Sequence, residues 1–331
     1  MVENRCILLA SRPMGKPTPN NFAEVSRPVP ELQEGMVLVK VDMISLDPAM
    51  RGWMNEGTTY IRGVALGEVM RAFAAGHVVR SRHPDFAEGD WVSGLLGAQT
   101  YAAVPGQNLT RLDLSLGPLE WHLGILGMPG MTAYFGLLER GRPQAGETVF
   151  VSGAAGIVGA TVGQIAKIKG CRVVGTAGSA EKCRYLIETC GFDAAIHYKN
   201  DDVAARLKEC CPEGIHVFFD NVGGEILDIG LAHLARGARV VICGAISQYN
   251  EPQMCGPRNY MKIVTARGLL TGIIVFDFQE RYPEAVAQLS AWLKNGQLHT
   301  RTDLVEGIEN FYPALMKLYN GSNFGKVVLK V

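Results

Sequence analysis

The chain has 331 residues, 32 basic and 32 acidic side chains and a formal net charge of zero. That length suits two domains of ordinary size, and the balanced charge, without a basic or acidic run, offers no footprint for nucleic acid or an anionic membrane surface. No apolar stretch approaches the ~18–20 residues that span a bilayer, and the N-terminal MVENRCILLASRP lacks a signal peptide's long apolar region. The eight cysteines include the adjacent Cys210 and Cys211 but no C-x-x-C pair. No metal site is therefore expected, and the thiols read as those of a reducing cytoplasm.

Residues 1 to about 124 carry short β-rich runs at 5–10, 36–44, 64–69, 77–81, 90–95 and 100–104, separated by Gly- and Pro-bearing turns such as Glu88-Gly89-Asp90. Many short strands with such punctuation predict a β-barrel or sandwich-like domain. The segment 44–54 departs from the pattern. Asp47-Pro48 reads as a helix start, followed by Arg51 and the apolar Met50, Trp53 and Met54. It is either a capped turn over core methionines or the rim of a site for an apolar ligand.

From about Trp121 the organisation changes. An apolar helix follows Gly127 and ends near Arg140-Gly141, after which strands and helices alternate. Strands are predicted at 148–152, 172–176, 194–197, 216–220, 239–244 and 269–275, and helices at 157–169, 180–190, 202–210, 225–235 and 282–295. This pattern predicts a doubly wound parallel sheet, with ligands at the carboxyl ends of its strands. After the first of these strands stand Gly153, Gly156 and Gly159 at the mouth of a helix. Glycines let a backbone approach a pyrophosphate, and a helix N-terminus offers N–H groups and partial positive charge. The triplet by itself also suits a tight turn with close helix packing.

After the second strand an NAD site usually places a carboxylate for the ribose 2′-hydroxyl. Here the chain reads Ala177-Gly178-Ser179, with Glu181 and Lys182 inside the next helix start. A missing carboxylate plus a cation points to a 2′-phosphate, and the alternative is a Ser179-capped helix with a solvated lysine. Tyr198 follows the third strand and Asn221 the fourth. The loop from Cys243 to Asn250 follows the fifth, and Tyr249 is its best-placed proton donor. The terminal Asn323-Phe324-Gly325-Lys326 leads into a last strand expected to rejoin the first domain, with a cleft between the domains.

With these pieces in order, the whole chain resembles the medium-chain dehydrogenase/reductase superfamily, and within it the zinc-independent double-bond reductases. The residues that carry the resemblance include Ser45-Leu46-Asp47-Pro48 with Met50-Arg51-Gly52, Leu126 to Gly130, Ala154-Ala155-Gly156, Asp220 to Gly224, Cys243 to Ser247 with Tyr249-Asn250, and Asn323 to Val328. The resemblance implies an α/β fold in which a GroES-like β-rich catalytic domain, 1–124 and 297–331, receives an inserted Rossmann domain, 125–296. It implies NADPH as cofactor, held by Gly156, Ile157, Val158 and Gly159 at the pyrophosphate, by Lys182 and Tyr198 at the 2′-phosphate, and along its length by Asn221, Cys243, Gly244, Ala245, Ile246, Ser247, Gln248, Tyr249, Ile273, Ile274, Val275 and Asn323. Tyr249 is the implied catalytic residue, and Ala49, Met50, Arg51, Trp53 and Tyr60 the implied substrate pocket.

The activity implied is NADPH-dependent reduction of the C=C bond of apolar α,β-unsaturated ketones or aldehydes by a cytoplasmic homodimer without zinc. Quinone reduction on the same scaffold is the nearest alternative, and a non-catalytic NADPH-binding protein is an alternative of another class. Two departures bear on substrate. Ala49 stands where relatives often carry tyrosine, and Met70-Arg71-Ala72-Phe73-Ala74-Ala75 replaces a glycine-rich turn.

Overall fold

The computed structural model describes residues 2–331. The chain forms two compact units, Met1–Gly124 with Thr302–Val331, and Ile125–Arg301.

The first unit opens with an antiparallel ribbon of β1 (Glu3–Leu9) and β2 (Phe22–Pro28). Then come β3 (Met36–Ser45), the single-turn α1 (Met50–Trp53), β4 (Ala74–Ser81), β5 (Trp91–Gly94), β6 (Tyr101–Pro105), β7 (Leu109–Arg111) and α2 (Leu119–His122). The second unit begins with α3 (Met128–Phe135), which a π-helical turn over Gly136–Gly141 extends. It continues through β8 (Thr148–Val151), α4 (Ile157–Ile168), β9 (Arg172–Ala177), α5 (Ala180–Glu188), β10 (Ala194–His197), α6 (Val203–Cys210), β11 (Ile215–Asp220), α7 (Gly224–Ala232), β12 (Leu234–Ile242), α8 (Lys262–Ala266), β13 (Leu269–Gly272) and α9 (Tyr282–Lys294). The chain then returns to the first unit with β14 (Thr302–Glu306), α10 (Phe311–Asn320) and β15 (Lys326–Lys330).

In the first unit seven strands run in the order β14-β15-β3-β4-β5-β7, with β6 also on β3. β15 pairs antiparallel with β3, Val328 opposite Ser45, so the last strand stitches the chain's end to its beginning. Leu9, Val39, Ile44, Met50, Leu315 and Leu329 are among its buried core. In the second unit six parallel strands run β10-β9-β8-β11-β12-β13. Counted from β8 this is the order 3-2-1-4-5-6 of dinucleotide-binding sheets. Its strands read as continuous apolar runs because both faces are covered, and Val149, Phe150, Val173, Phe218 and Val240 are all buried. Among the described residues no helix is long and apolar enough to cross a membrane.

Three local expectations are corrected, and one strand is added. No strand forms over 64–69: Gly67 takes φ +80, and the Glu68 carboxylate accepts from the Ala65 N–H at 2.9 Å, closing a turn. The β2 strand was not anticipated, because an exposed edge ribbon carries little apolar periodicity. The helix expected over 225–235 stops at Ala232, where the His233 N–H turns back to the Gly230 carbonyl, and residues 234–235 open β12 instead. The strand expected over 269–275 ends at Gly272.

Candidate functional site

The switch point of the parallel sheet lies between β8 and β11, from which the chain winds outward in opposite directions. The two loops at that point are tied together. Ser152 and Asp220 are fully buried, and the Ser152 hydroxyl donates to the Asp220 carboxylate at 2.6 Å. The Asn221 backbone N–H donates to Ser152 Oγ and its side-chain amide to the Ser152 carbonyl, both at 2.8 Å. The Asp220 carboxylate also accepts from the Val222 and Gly223 N–H groups at 3.2 and 2.9 Å. Burial pushes the Asp220 carboxyl up, against these three donors. Asn221 is thereby anchored through its side chain, with its backbone carbonyl accepting from the Ile246 N–H at 3.2 Å.

The three glycines have three different physical roles. Gly153 takes φ +59, the left-handed turn that leaves the strand. A side chain on Gly156 would meet little, its first neighbour being the Gly153 carbonyl at 3.5 Å. A side chain on Gly159 would lie 2.7 Å from both the Ala154 Cα and the Gly153 carbonyl. Gly156 therefore leaves room at the helix mouth, and Gly159 lets α4 sit against the strand turn. The helical ladder starts with the Ala160 N–H bonded to the Gly156 carbonyl at 2.9 Å. The amides of Ile157, Val158 and Gly159 precede that ladder, which makes this end suitable for an anion.

At the carboxyl end of β9, Ala177-Gly178-Ser179 carries no acid. Ser179 caps α5, accepting from the Lys182 N–H at 3.2 Å, which sets Lys182 in the first turn. Glu181, the first carboxylate after the strand, lies 4.0 Å from the Arg301 guanidinium. Tyr198 follows β10, is 40% exposed and lies over Gly178, where an added side chain would come within 2.8 Å of its hydroxyl. The approach of Tyr198 to Gly178 joins the ends of two neighbouring strands, β9 and β10, twenty positions apart in the chain. The donors here suit a phosphate better than a ribose hydroxyl that needs a carboxylate.

The loop after β12 packs on the loop after β11. The Ser247 N–H and hydroxyl both donate to the Val222 carbonyl, at 3.1 and 2.6 Å. The Tyr249 hydroxyl accepts from the Ala245 N–H at 3.1 Å and lies 2.7 Å from where a Gly244 side chain would start. Cys243 to Tyr249 is thus a small knot around a phenol. Gln248 is buried and pairs through its amide with both backbone groups of Cys255, at 3.0 and 2.7 Å. Burial first, and the Asp220 carboxylate second, push the Cys243 thiol up to about 12. Ile273 and Val275 are buried, and the Ile273 N–H bonds the Ile242 carbonyl at 3.2 Å. Ile274 is the exposed member of the three, at 38%.

In the first unit, Asp47 does not cap α1. Its carboxylate accepts from the Ser45 hydroxyl at 2.5 Å and from the buried Lys326 ammonium at 2.8 Å. Lys326 also donates to the Leu46 carbonyl at 2.6 Å. Burial lowers the Lys326 pKa while Asp47 raises it. The pair was missed because its partners stand 279 residues apart. Asn323, in the turn before β15, donates its side-chain amide to the Gly325 carbonyl at 3.1 Å.

The expected pocket residues divide. Met50 is fully buried in the core, and the Arg51 guanidinium donates to the Gly15 and Pro13 carbonyls and to Asn55. Trp53 is buried, and its indole N–H donates to the Tyr60 hydroxyl at 2.9 Å. Ala49 is half-buried and Tyr60 is 48% exposed.

Two family models match the chain, one described as the N-terminal domain of oxidoreductase over residues 5–112 and one as zinc-binding dehydrogenase over residues 158–291. The NADPH-dependent curcumin reductase of Escherichia coli is 42% identical over 334 residues, covering 99% of this chain and 97% of that protein. The NADP(+)-dependent 2-alkenal reductase of Nicotiana tabacum is 39% identical over 338 residues, covering 100% and 98%. The crystal structure of CurA from Vibrio vulnificus in complex with NADPH superposes with a TM-score of 0.94 at 41% identity, covering 99% of each chain. Among the described residues no three His, Cys, Asp or Glu side chains gather to hold a metal ion, so the zinc in the second family's description finds no ligand set here.

Proposed function

We propose that the chain, which belongs to the zinc-independent branch of the medium-chain dehydrogenase/reductase superfamily, is an NADPH-dependent reductase of the C=C bond of α,β-unsaturated ketones or aldehydes. The observation that carries the reading is similarity along nearly the full length to reductases named for NADPH and for curcumin or 2-alkenals. The strand-end chemistry agrees with NADPH, since an acid-free turn and a capped helix start bearing Lys182 suit an extra phosphate.

NADPH, when bound, supplies the hydride that the β-carbon of the substrate accepts. Ile157, Val158 and Gly159 would hold the pyrophosphate through backbone N–H groups, and Lys182 with Tyr198 the 2′-phosphate. Asn221, the 243–249 loop, 273–275 and Asn323 would take the remainder. Tyr249 would donate its phenolic proton toward the carbonyl oxygen as enolate charge builds there. Its oxygen accepts the Ala245 N–H, which orients the ring and strengthens the phenol as a donor. One oriented donor of this kind is worth ~2.7–4 kcal/mol in the transition state. Ala49 and Tyr60 would line the substrate's apolar part. As an assembly, the protein would be a homodimer.

The test is NADPH oxidation by purified protein across enones, enals and quinones of graded size, run beside Tyr249→Phe. Enones or enals should outpace quinones, and the variant should lose kcat with NADPH binding kept. No turnover of any enone or enal, or faster quinone reduction, would overturn the reading.

A further inference from the structure

Resting on the enone-reductase reading, we propose that Arg71 adapts this enzyme to unsaturated ketones or aldehydes that carry a carboxylate, the guanidinium binding the anionic end of the substrate. Arg71 is absent from the pocket residues named above. It reaches the candidate pocket through Trp53. On α1 the Trp53 N–H bonds the Ala49 carbonyl at 3.2 Å, so these two side chains stand one turn apart on one face. The Arg71 guanidinium lies 5.8 Å from the centre of the Trp53 ring. Its Nη1 donates to the Arg62 carbonyl at 2.6 Å. An aromatic face and a carbonyl thus hold the cation beside Tyr60, whose hydroxyl the same indole engages.

Among the described residues that charge has no carboxylate bonded to it. Glu68 is the acid acting on Arg71, yet its oxygens accept from Arg62 Nη2 at 2.9 and 3.1 Å and from the Ala65 N–H at 2.9 Å. Arg62 and Glu68 neutralise each other, and no carboxylate lies within 4.0 Å of Arg71 among the described residues. The guanidinium is half-buried, and burial with the Arg62 cation pushes its pKa down, a penalty that an incoming anion relieves. A planar fork with unspent donors matches a carboxylate in two-point geometry, which a lysine there would not. Ala49 adds only a methyl to the same face of α1.

The experiment compares one aliphatic enone as its free acid and as its methyl ester, with NADPH, on wild type, Arg71→Gln and Arg71→Lys. Wild type should favour the acid in kcat/KM by about tenfold or more, carried by KM, as a charge-assisted hydrogen bond predicts. Arg71→Gln should lower the acid-to-ester ratio about tenfold, Arg71→Lys should keep part of it, and added salt should erode it in wild type. The ratio compares two substrates on one preparation, so any shared loss of folded enzyme cancels. An equal ratio in wild type and Arg71→Gln, with the ester still reduced, sinks the role of Arg71 alone. If ester, acid and simple enones are all inert, the enone reading fails and this proposal falls with it.

Discussion

Gly156 and Gly159 are the same residue type three positions apart, and their surroundings give them opposite roles. One opens the helix mouth and the other closes the helix against Ala154. Lys182 is likewise defined by its place, in the first turn of a capped helix beside a strand end without a carboxylate. If it holds a 2′-phosphate, Lys182→Ala should raise the KM for NADPH about tenfold or more while leaving that for NADH nearly unchanged, a difference steady-state kinetics reads directly. An equal rise for both cofactors would remove the assignment. The glycine spacing, the absent acid and the lysine were all legible in the chain. The division of labour among the glycines was not, because it depends on what a missing side chain would touch. Arg51 was legible only as a cation beside apolar residues; in the fold its guanidinium donates to the Pro13 and Gly15 carbonyls of a distant loop and to Asn55 four residues on.

The parallel sheet shows how elements carry stability to the site. Glu147, one residue before β8, pairs with Arg239 in β12 through both oxygens, at 2.8 and 2.5 Å, with both side chains largely buried. Burial pushes the Glu147 carboxyl up, but the Arg239 bonds and the Gln144 N–H outweigh it and hold the carboxyl below its usual value. A carboxyl lowered on folding stabilises the fold above its unfolded pKa, and that contribution fades as pH falls through the folded value. Glu147→Gln should cost about 1–3 kcal/mol at pH 7. The gap to wild type in urea unfolding should narrow below about pH 4.5. A gap constant with pH would show that the ion pair contributes nothing. Helices with strong periodicity and caps, α4 and α5 above all, start where the sequence places them. The elements that differed are those set by neighbours. β2 exists because β1 offers it a ladder from Glu3 to Leu9, and β12 begins early because Leu234 finds Ile215.

For the molecule as a whole, one surface stands out. β13 is one edge of the six-stranded sheet, with Leu269 and Leu270 exposed, and Tyr260, Met261 and Val264 are exposed on and before α8. An apolar open edge is a template for another strand, and a second copy of the same edge would complete it under two-fold symmetry. The proposed homodimer would use it. Light scattering should give the mass of two 35.9-kDa chains at micromolar concentration, and Leu270→Asp should shift it toward one. A single-chain mass for wild type would end that idea. By itself the sequence determined the alternation of elements, the parallel sheet, the glycine mouth and the acid-free turn after β9, because these rest on local periodicity, capping and residue type within tens of positions. Only the tertiary structure decided that Asp47 serves Lys326 and not a helix cap, that Ser152 and Asp220 lock the switch point, and that Arg71 stands over Trp53 with no carboxylate bonded to it among the described residues. Those depend on side chains that meet only once the sheets have formed, and a buried charge or an unspent one is defined by its neighbours and not by its place in the chain.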